Sequence, residues 1–186
     1  MKIPDNAKLV FKGVIFDVYQ WQQELFDGSQ ATFEALKRPG TVQVIPTVGD
    51  RVLLSYEEQP GKPRRHTFFG GRMEEGEEPL TAIKRELLEE TGLQSDDWEL
   101  YKEYVSGGKI IWPIYLYVAR NCRKVTEPRL DPGEKIDIKE FGFEEFVDIV
   151  SREDFMETQT SNEVFRFKQD ADKLEDFRKL IFPYHD

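Results

Sequence analysis

The chain has 186 residues, is 39% hydrophobic and 13% aromatic, and carries a net charge of −10. That length suits one domain with a full core, and the apolar share excludes intrinsic disorder despite the charge. An acidic surface repels nucleic-acid backbones, so no nucleic-acid partner is expected. The single cysteine, Cys122, rules out a disulfide framework within the chain and suits a reducing cytoplasm.

Met1 to Val10 holds charges and a proline and has no apolar core, so it does not read as a signal peptide. From Leu9 to Lys37 the pattern predicts a small antiparallel β unit. Val14, Phe16, Val18 and Gln20 alternate with their neighbours, Asp27-Gly28 marks a hairpin turn, and Ala31 to Leu36 is a second extended run. Arg38-Pro39-Gly40 is a break. Thr41 to Pro46 and Arg51 to Tyr56 read as strands joined by a turn at Val48-Gly49-Asp50.

A polar loop, Glu57 to Arg65, leads to Phe68-Phe69-Gly70-Gly71 and then to a helix over Leu80 to Thr91. Further on, Trp98 to Tyr104 and Lys109 to Ala119 read as strands. The apolar part of the second, Ile110 to Ala119, is too short to span a bilayer and predicts a buried strand, so no membrane partner is expected. Val125 to Lys135 is a charged loop, Ile136 to Phe143 a strand and Phe143 to Ile149 a short helix. Leu174, Phe177, Leu180 and Ile181 fall at helical spacing in a C-terminal helix, Ala171 to Ile181. Interleaved strands and helices imply an α/β domain with a mixed sheet.

The helix over Leu80 to Thr91 carries the chemistry. Pro79 suits its first turn and Gly92 its C-terminal stop. Leu80, Ile83 and Leu87 share one stripe expected to face the core. Glu86 and Glu90 stack on an adjacent face with Glu89 beside them. On a Glu-rich helix such a cluster is ordinarily a solvated face, and the repulsion costs only a few tenths of a kcal/mol. A hard divalent cation would turn that repulsion into a site, because Mg²⁺ takes oxygen ligands and bridges to substrate phosphates.

The wider pattern decides between these readings. Five residues separate Gly71 from Glu77, and seven more lead to Arg85-Glu86-Leu87-Leu88-Glu89-Glu90-Thr91-Gly92-Leu93. This resembles the Nudix box at every defining position, and a chance match is on the order of one in a million. The resemblance implies an α/β/α sandwich around a mixed sheet, and a hydrolase that cleaves a diphosphate linkage with Mg²⁺, for which Mn²⁺ can substitute. It implies Glu86, Glu89, Glu90 and the Gly71 carbonyl as metal ligands, with Glu77, Arg85 and Gly92 supporting the box. The implied catalytic set is Glu134, Glu90 and Arg85. The box keeps all its carboxylates, which argues against a non-catalytic nucleotide-sensing module.

Three further pieces resemble the ADP-ribose pyrophosphatase branch: Phe26-Asp27-Gly28-Ser29, Arg38-Pro39-Gly40-Thr41-Val42, and Leu130-Asp131-Pro132-Gly133-Glu134-Lys135-Ile136-Asp137. In that branch a loop glutamate acts as general base, and Glu134 matches it, with Glu144 and Glu145 as weaker substitutes. The implied substrate is a small nucleotide, ADP-ribose first, then other nucleotide sugars or nucleoside triphosphates. The chain departs from the branch where a Glu-Leu-Pro-Ala-Gly-like run is replaced by Thr67-Phe68-Phe69-Gly70-Gly71. A proline expected at 109 is Lys109, the nearest being Pro113. Phe68, Phe69, Trp112 and Tyr115 could stack on a base, although core packing is the default for each. The resemblance divides the chain into an N-terminal β unit, 1–40, that would help form a homodimer, and a hydrolase domain, 41–186.

Overall fold

The computed structural model describes residues 2–105 and 107–183. Three strands, β1 (Lys8–Lys12), β2 (Asp17–Glu24) and β3 (Gln30–Lys37), form an antiparallel N-terminal sheet. The Asp27-Gly28 turn is as expected: Gly28 has φ +82°, and Asp27 Oδ1 accepts from the Ser29 amide and hydroxyl at 3.0 and 2.6 Å. Val14 and Phe16, expected on a strand, instead lie in the β1–β2 connection. A Gly13 N–H to Phe16 carbonyl bond of 3.0 Å closes it, which leaves Val14 94% exposed.

The central sheet runs β13 (Lys135–Phe141), β5 (Arg51–Glu58), β4 (Thr41–Val48), β11 (Pro113–Arg120), β9 (Asp97–Val105). β4 and β11 are parallel, and the other neighbours are antiparallel, so the sheet is mixed. Successive residues point to opposite faces. Val52 and Leu54, with Leu116 and Val118, enter one core, and Leu53, Tyr117 and Ala119 enter the other. The first core is roofed by α2 (Phe143–Val150), α3 (Thr158–Phe167) and α4 (Ala171–Ile181), the second by α1 (Pro79–Thr91). The result is the expected α/β/α sandwich.

Two further departures concern β strands and α1, and the first has a local cause. The run Lys109 to Ala119 is not one strand: Ile110–Ile111 forms β10, which pairs parallel with β3, and β11 begins at Pro113 in the central sheet. Proline has no N–H to give a ladder, so the chain changes sheets there. Leu80 is 38% exposed rather than in the core stripe; Ala82 is buried with Ile83 and Leu87 instead. Cys122 is a buried free thiol, as a small core hydrophobe, and burial pushes it up to about 12.

One feature of the sheet creates room for a site. β4 pairs directly with β5 only at Thr47↔Val52 and Val48↔Arg51. Its first half pairs with β7 (Phe69–Arg72), while β5 pairs with β6 (Arg65–Thr67). The two central strands therefore diverge, and the Gly70-Gly71 backbone occupies the fork. Gly70 adopts φ +142°, and a Cβ there would overlap the Val42 carbonyl, so no other residue fits.

Candidate active site

α1 begins after Glu78 with Pro79 in its first turn and ends at Gly92, φ +73°, whose N–H donates to the Leu88 carbonyl at 2.9 Å. Between these caps the helix rests Ile83 and Leu87 on the sheet and turns its carboxylates toward the Gly70-Gly71 strand. Glu90 is 6% exposed, and its Oε2 accepts the Gly70 N–H at 2.8 Å. Burial pushes its carboxyl well above the usual range, and Glu86, Glu134 and Glu57 add repulsion. Glu86 lies against Gly71 so closely that a Cβ on that glycine would sit 2.5 Å from its Oε1. Its carboxyl is also raised, mainly by burial, with Arg85 opposing and Glu89 and Glu134 reinforcing.

Arg85 ties the group together. Its Nε and Nη2 form a two-pronged pair with Glu77, both at 3.1 Å, and Nη1 reaches Glu86 at 2.9 Å and Glu89 at 3.1 Å. Glu77 also accepts the Glu74 N–H at 3.0 Å, so one carboxylate fixes both the arginine and the loop before the helix. The hydrogen bond from Arg85 holds the Glu77 carboxyl below its ordinary range.

Glu134 comes from the loop between β12 (Arg123–Lys124), which pairs with β8 (Leu93–Gln94), and β13. That loop is fastened to the end of α1: the Val125 N–H donates to the Gly92 carbonyl at 2.9 Å and the Arg129 N–H to the Glu89 carbonyl at 2.7 Å. The Asp131 carbonyl then accepts from the Glu134 amide at 2.9 Å. Partial burial raises the Glu134 carboxyl, and Glu57, Asp131 and Glu89 add to the shift. The expected acids thus meet in one field. Glu144, by contrast, pairs with Arg178, and Glu145 caps α2 through the Gly142 N–H.

Beside this cluster, sharing Gly70, Gly71 and Glu57 with it, opens a cavity of about 490 Å³. Three cations, Arg38, Lys62 and Arg72, stand on its wall. Trp112 lines it too, with Nε1 donating to Thr41 Oγ1 at 2.9 Å and the Arg38 guanidinium 4.3 Å from the ring centroid. Phe68 reaches the wall but is 3% exposed and edge-on to Phe155 at 5.1 Å; Phe69 is fully buried. Sequence reading did not find Gln43, Thr67 and Glu157, which meet at the cleft from three distant segments. The only signal was the replacement of a branch glutamate by Thr67.

Among the described residues, no three Asp, Glu, His or Cys side chains converge as a ready cage for an ion. Mg²⁺ does not need one. It keeps several waters and is held by one or two carboxylates with substrate phosphates. Mutually repelling carboxylates against a glycine that leaves its backbone bare fit such an ion.

The layered α/β domain thus carries an acidic helix at the fork of its sheet, an anionic centre beside a cation-lined cleft. The NUDIX domain model matches residues 37–165, and the chain belongs to the Nudix family, as one of its hydrolases. It is 29% identical over 157 residues to an ADP-ribose pyrophosphatase of Bacillus subtilis (strain 168), covering 82% of this chain and 84% of that protein. It is 28% identical over 160 residues to a methanol dehydrogenase activator of Bacillus methanolicus, covering 83% and 86%. A crystal structure of an ADP compounds hydrolase matches with TM-score 0.71 at 22% identity, over 89% of this chain and 91% of that one, a likeness of fold. Hydrolases of this family use a divalent metal. Among the described residues no helix is long and apolar enough to cross a membrane.

Proposed function

We propose that this enzyme hydrolyses the diphosphate linkage of a nucleoside diphosphate sugar, ADP-ribose first, releasing a nucleoside monophosphate and a sugar phosphate. The observation that carries the reading is the join of two surfaces: an acidic cluster on α1 and a cation-lined cleft sharing Gly70 and Gly71 with it. The likeness to an ADP-ribose pyrophosphatase over most of both chains supports the choice of substrate.

In this reading Glu86, Glu89, Glu90 and the Gly71 carbonyl hold Mg²⁺, with Mn²⁺ able to substitute. Once bound, the ion neutralises the diphosphate and polarises a phosphoryl oxygen. Arg85 holds Glu86 and Glu89 at their observed spacing, Glu77 anchors Arg85, and Gly92 ends the helix where the Glu134 loop attaches. Glu134 accepts the proton of the water that attacks phosphorus, and partial burial, which raises its affinity for protons, favours that transfer. Arg38, Lys62 and Arg72 face the substrate's phosphates. Trp112 offers ring surface beside the cleft, whereas Phe68 contributes only an edge of the wall.

The reading extends to assembly and place. Residues 1–40 act as a dimerisation element beside the hydrolase domain, 41–186, and the lone buried cysteine fits a cytoplasmic protein. A panel of nucleoside diphosphate derivatives, assayed with Mg²⁺ and with Mn²⁺ after EDTA treatment, tests the activity. Nucleoside monophosphate plus sugar phosphate is the expected product pair. Release of inorganic pyrophosphate from nucleoside triphosphates alone would refute it. Hydrolysis in ¹⁸O-labelled water then locates the phosphorus attacked.

A further inference from the structure

Glu157 stands at the N-terminal end of α3 yet makes no side-chain bond to cap that helix. Its carboxylate turns toward the cleft. There Oε1 accepts from Thr67 Oγ1 at 2.5 Å and from Gln43 Nε2 at 3.2 Å. Donors on β6 and β4 thus fix the carboxylate from two sides. The other oxygen, Oε2, is shut off from bulk solvent and makes no well-aligned hydrogen bond; the nearby Phe68 and Glu157 amides only temper the carboxylate's charge. A buried carboxylate oxygen without a donor is costly, and native interiors rarely leave one so. Nearby charge worsens the case, since Glu57 is of the same sign; burial above all pushes the carboxyl up to about 7.

Because Glu157 lines the cavity, a ligand there can supply the missing donor once a small turn of the side chain brings Oε2 to the cavity wall. The chemistry of the wall says which part of a ligand that is. Arg38, Lys62 and Arg72 suit phosphate, whereas a carboxylate repels it. What a carboxylate attracts on a nucleotide is a neutral donor: a sugar hydroxyl or the amine of a base. Resting on the proposed hydrolysis of a nucleoside diphosphate sugar, we infer that Glu157 is a specificity-determining residue. Its free Oε2 accepts a hydrogen bond from an O–H or N–H donor on the non-phosphate part of the substrate, with Thr67 and Gln43 holding it in register.

A cycle of enzyme variant against substrate analogue tests this. The wild type and Glu157→Gln are assayed with ADP-ribose, with its hypoxanthine counterpart, which lacks the exocyclic amine, and with analogues in which single ribose hydroxyls are replaced by hydrogen. The expected result is a KM for ADP-ribose raised about 10- to 100-fold by Glu157→Gln, with kcat changed little. One analogue should carry the same penalty in the wild type and gain no further penalty in the variant. If that analogue is the hypoxanthine one, the donor is the base amine; if a deoxy one, it is that hydroxyl. An equal penalty on every analogue, or an unchanged KM for ADP-ribose, overturns the inference. Should Glu157→Gln fail to fold, Glu157→Asp, which withdraws the oxygen by one methylene, runs the same cycle. Wild-type turnover is measured first. Absence of ADP-ribose hydrolysis overturns the substrate reading alone, and the cycle is then run on the nucleotide sugar that is cleaved.

Discussion

Glu86 and Glu134 share a field of like charge but differ in attachment, and that difference separates their expected phenotypes. Glu86 is fixed by the helix, by Arg85 and by its contact with Gly71. Removing its charge with Glu86→Gln should lower kcat at least about 100-fold and raise the Mg²⁺ concentration needed for half-maximal rate. Turnover that survives would strike Glu86 from the ligand set. Glu134→Gln should also lower kcat about 100- to 10,000-fold, yet leave the Mg²⁺ dependence unchanged, because a base need not hold the ion. Glu157 gives a stability prediction of its own. Its carboxyl sits at about 7 in the folded protein against an ordinary 4.5. The folded state therefore holds a proton that the unfolded state has released, and stability falls as pH rises from 4.5 to 7. The full penalty, on the order of 3 kcal/mol, applies above that window. Glu157→Gln has no such penalty, so its Tm relative to wild type should rise by roughly 5 to 10 °C between pH 5 and pH 8. A constant difference, measured by calorimetry, would show that the carboxyl is not shifted. The α1 acids and Arg85 were legible because helical periodicity brings neighbours in sequence together. Glu157, Thr67 and Gln43 were not, since the cleft joins positions as much as 114 residues apart.

At the scale of elements, α1 and the Glu134 loop behave as one device through Gly92. The loop's Val125 and Thr126 amides both donate to the Gly92 carbonyl, and a Cβ on Gly92 would overlap the Thr126 carbonyl oxygen. Gly49, in the β4–β5 turn, has φ +56° with open space where its Cβ would stand. Both positions disfavour other residues, but only the first is blocked by backbone. Gly49→Ala should cost about 1 kcal/mol and leave kcat intact. Gly92→Ala should cost more than twice that and lower kcat, because the loop that carries Glu134 must move. Thermal melts and steady-state kinetics on the pair check this, and equal effects would refute the coupling. α1 could be read in advance from its Pro79 start, its Gly92 stop and the spacing of Ile83 and Leu87. α3 could not, because it buries Thr160, Ser161 and Val164 and so shows no apolar stripe. Likewise the run from Ile110 to Ala119 looked like one strand, and only the placement of two sheets around Pro113 divides it.

On the scale of the whole molecule, the N-terminal sheet has more apolar surface than its own body covers. Leu9, Val10, Phe11, Val14 and Ile15 are 43–94% exposed, and Phe26 stands fully in solvent at the opposite turn. The sheet joins the body's strands through β10, a pairing of two residues with β3. A soluble monomer rarely leaves such a group of large apolar side chains uncovered, and a second copy of the same sheet would cover it with self-complementary shape. An interface of ordinary size buries about 800 Å² on each partner, which a three-stranded face can supply. Light scattering should therefore give twice the mass of the 186-residue chain, and the pair Phe11→Asp and Val14→Asp should reduce it to one. The same pair has a kinetic consequence that separates two designs. Phe16, in the connection next to Val14, lies 5.7 Å from the Arg38 guanidinium on the cleft wall. If dimerisation holds this connection in place, the monomeric variant should show a raised KM with kcat nearly kept, since the acids on α1 are untouched. A monomeric wild type would remove the assembly outright. A variant that is monomeric with unchanged kinetics would leave the sheet as an assembly surface with no part in binding substrate.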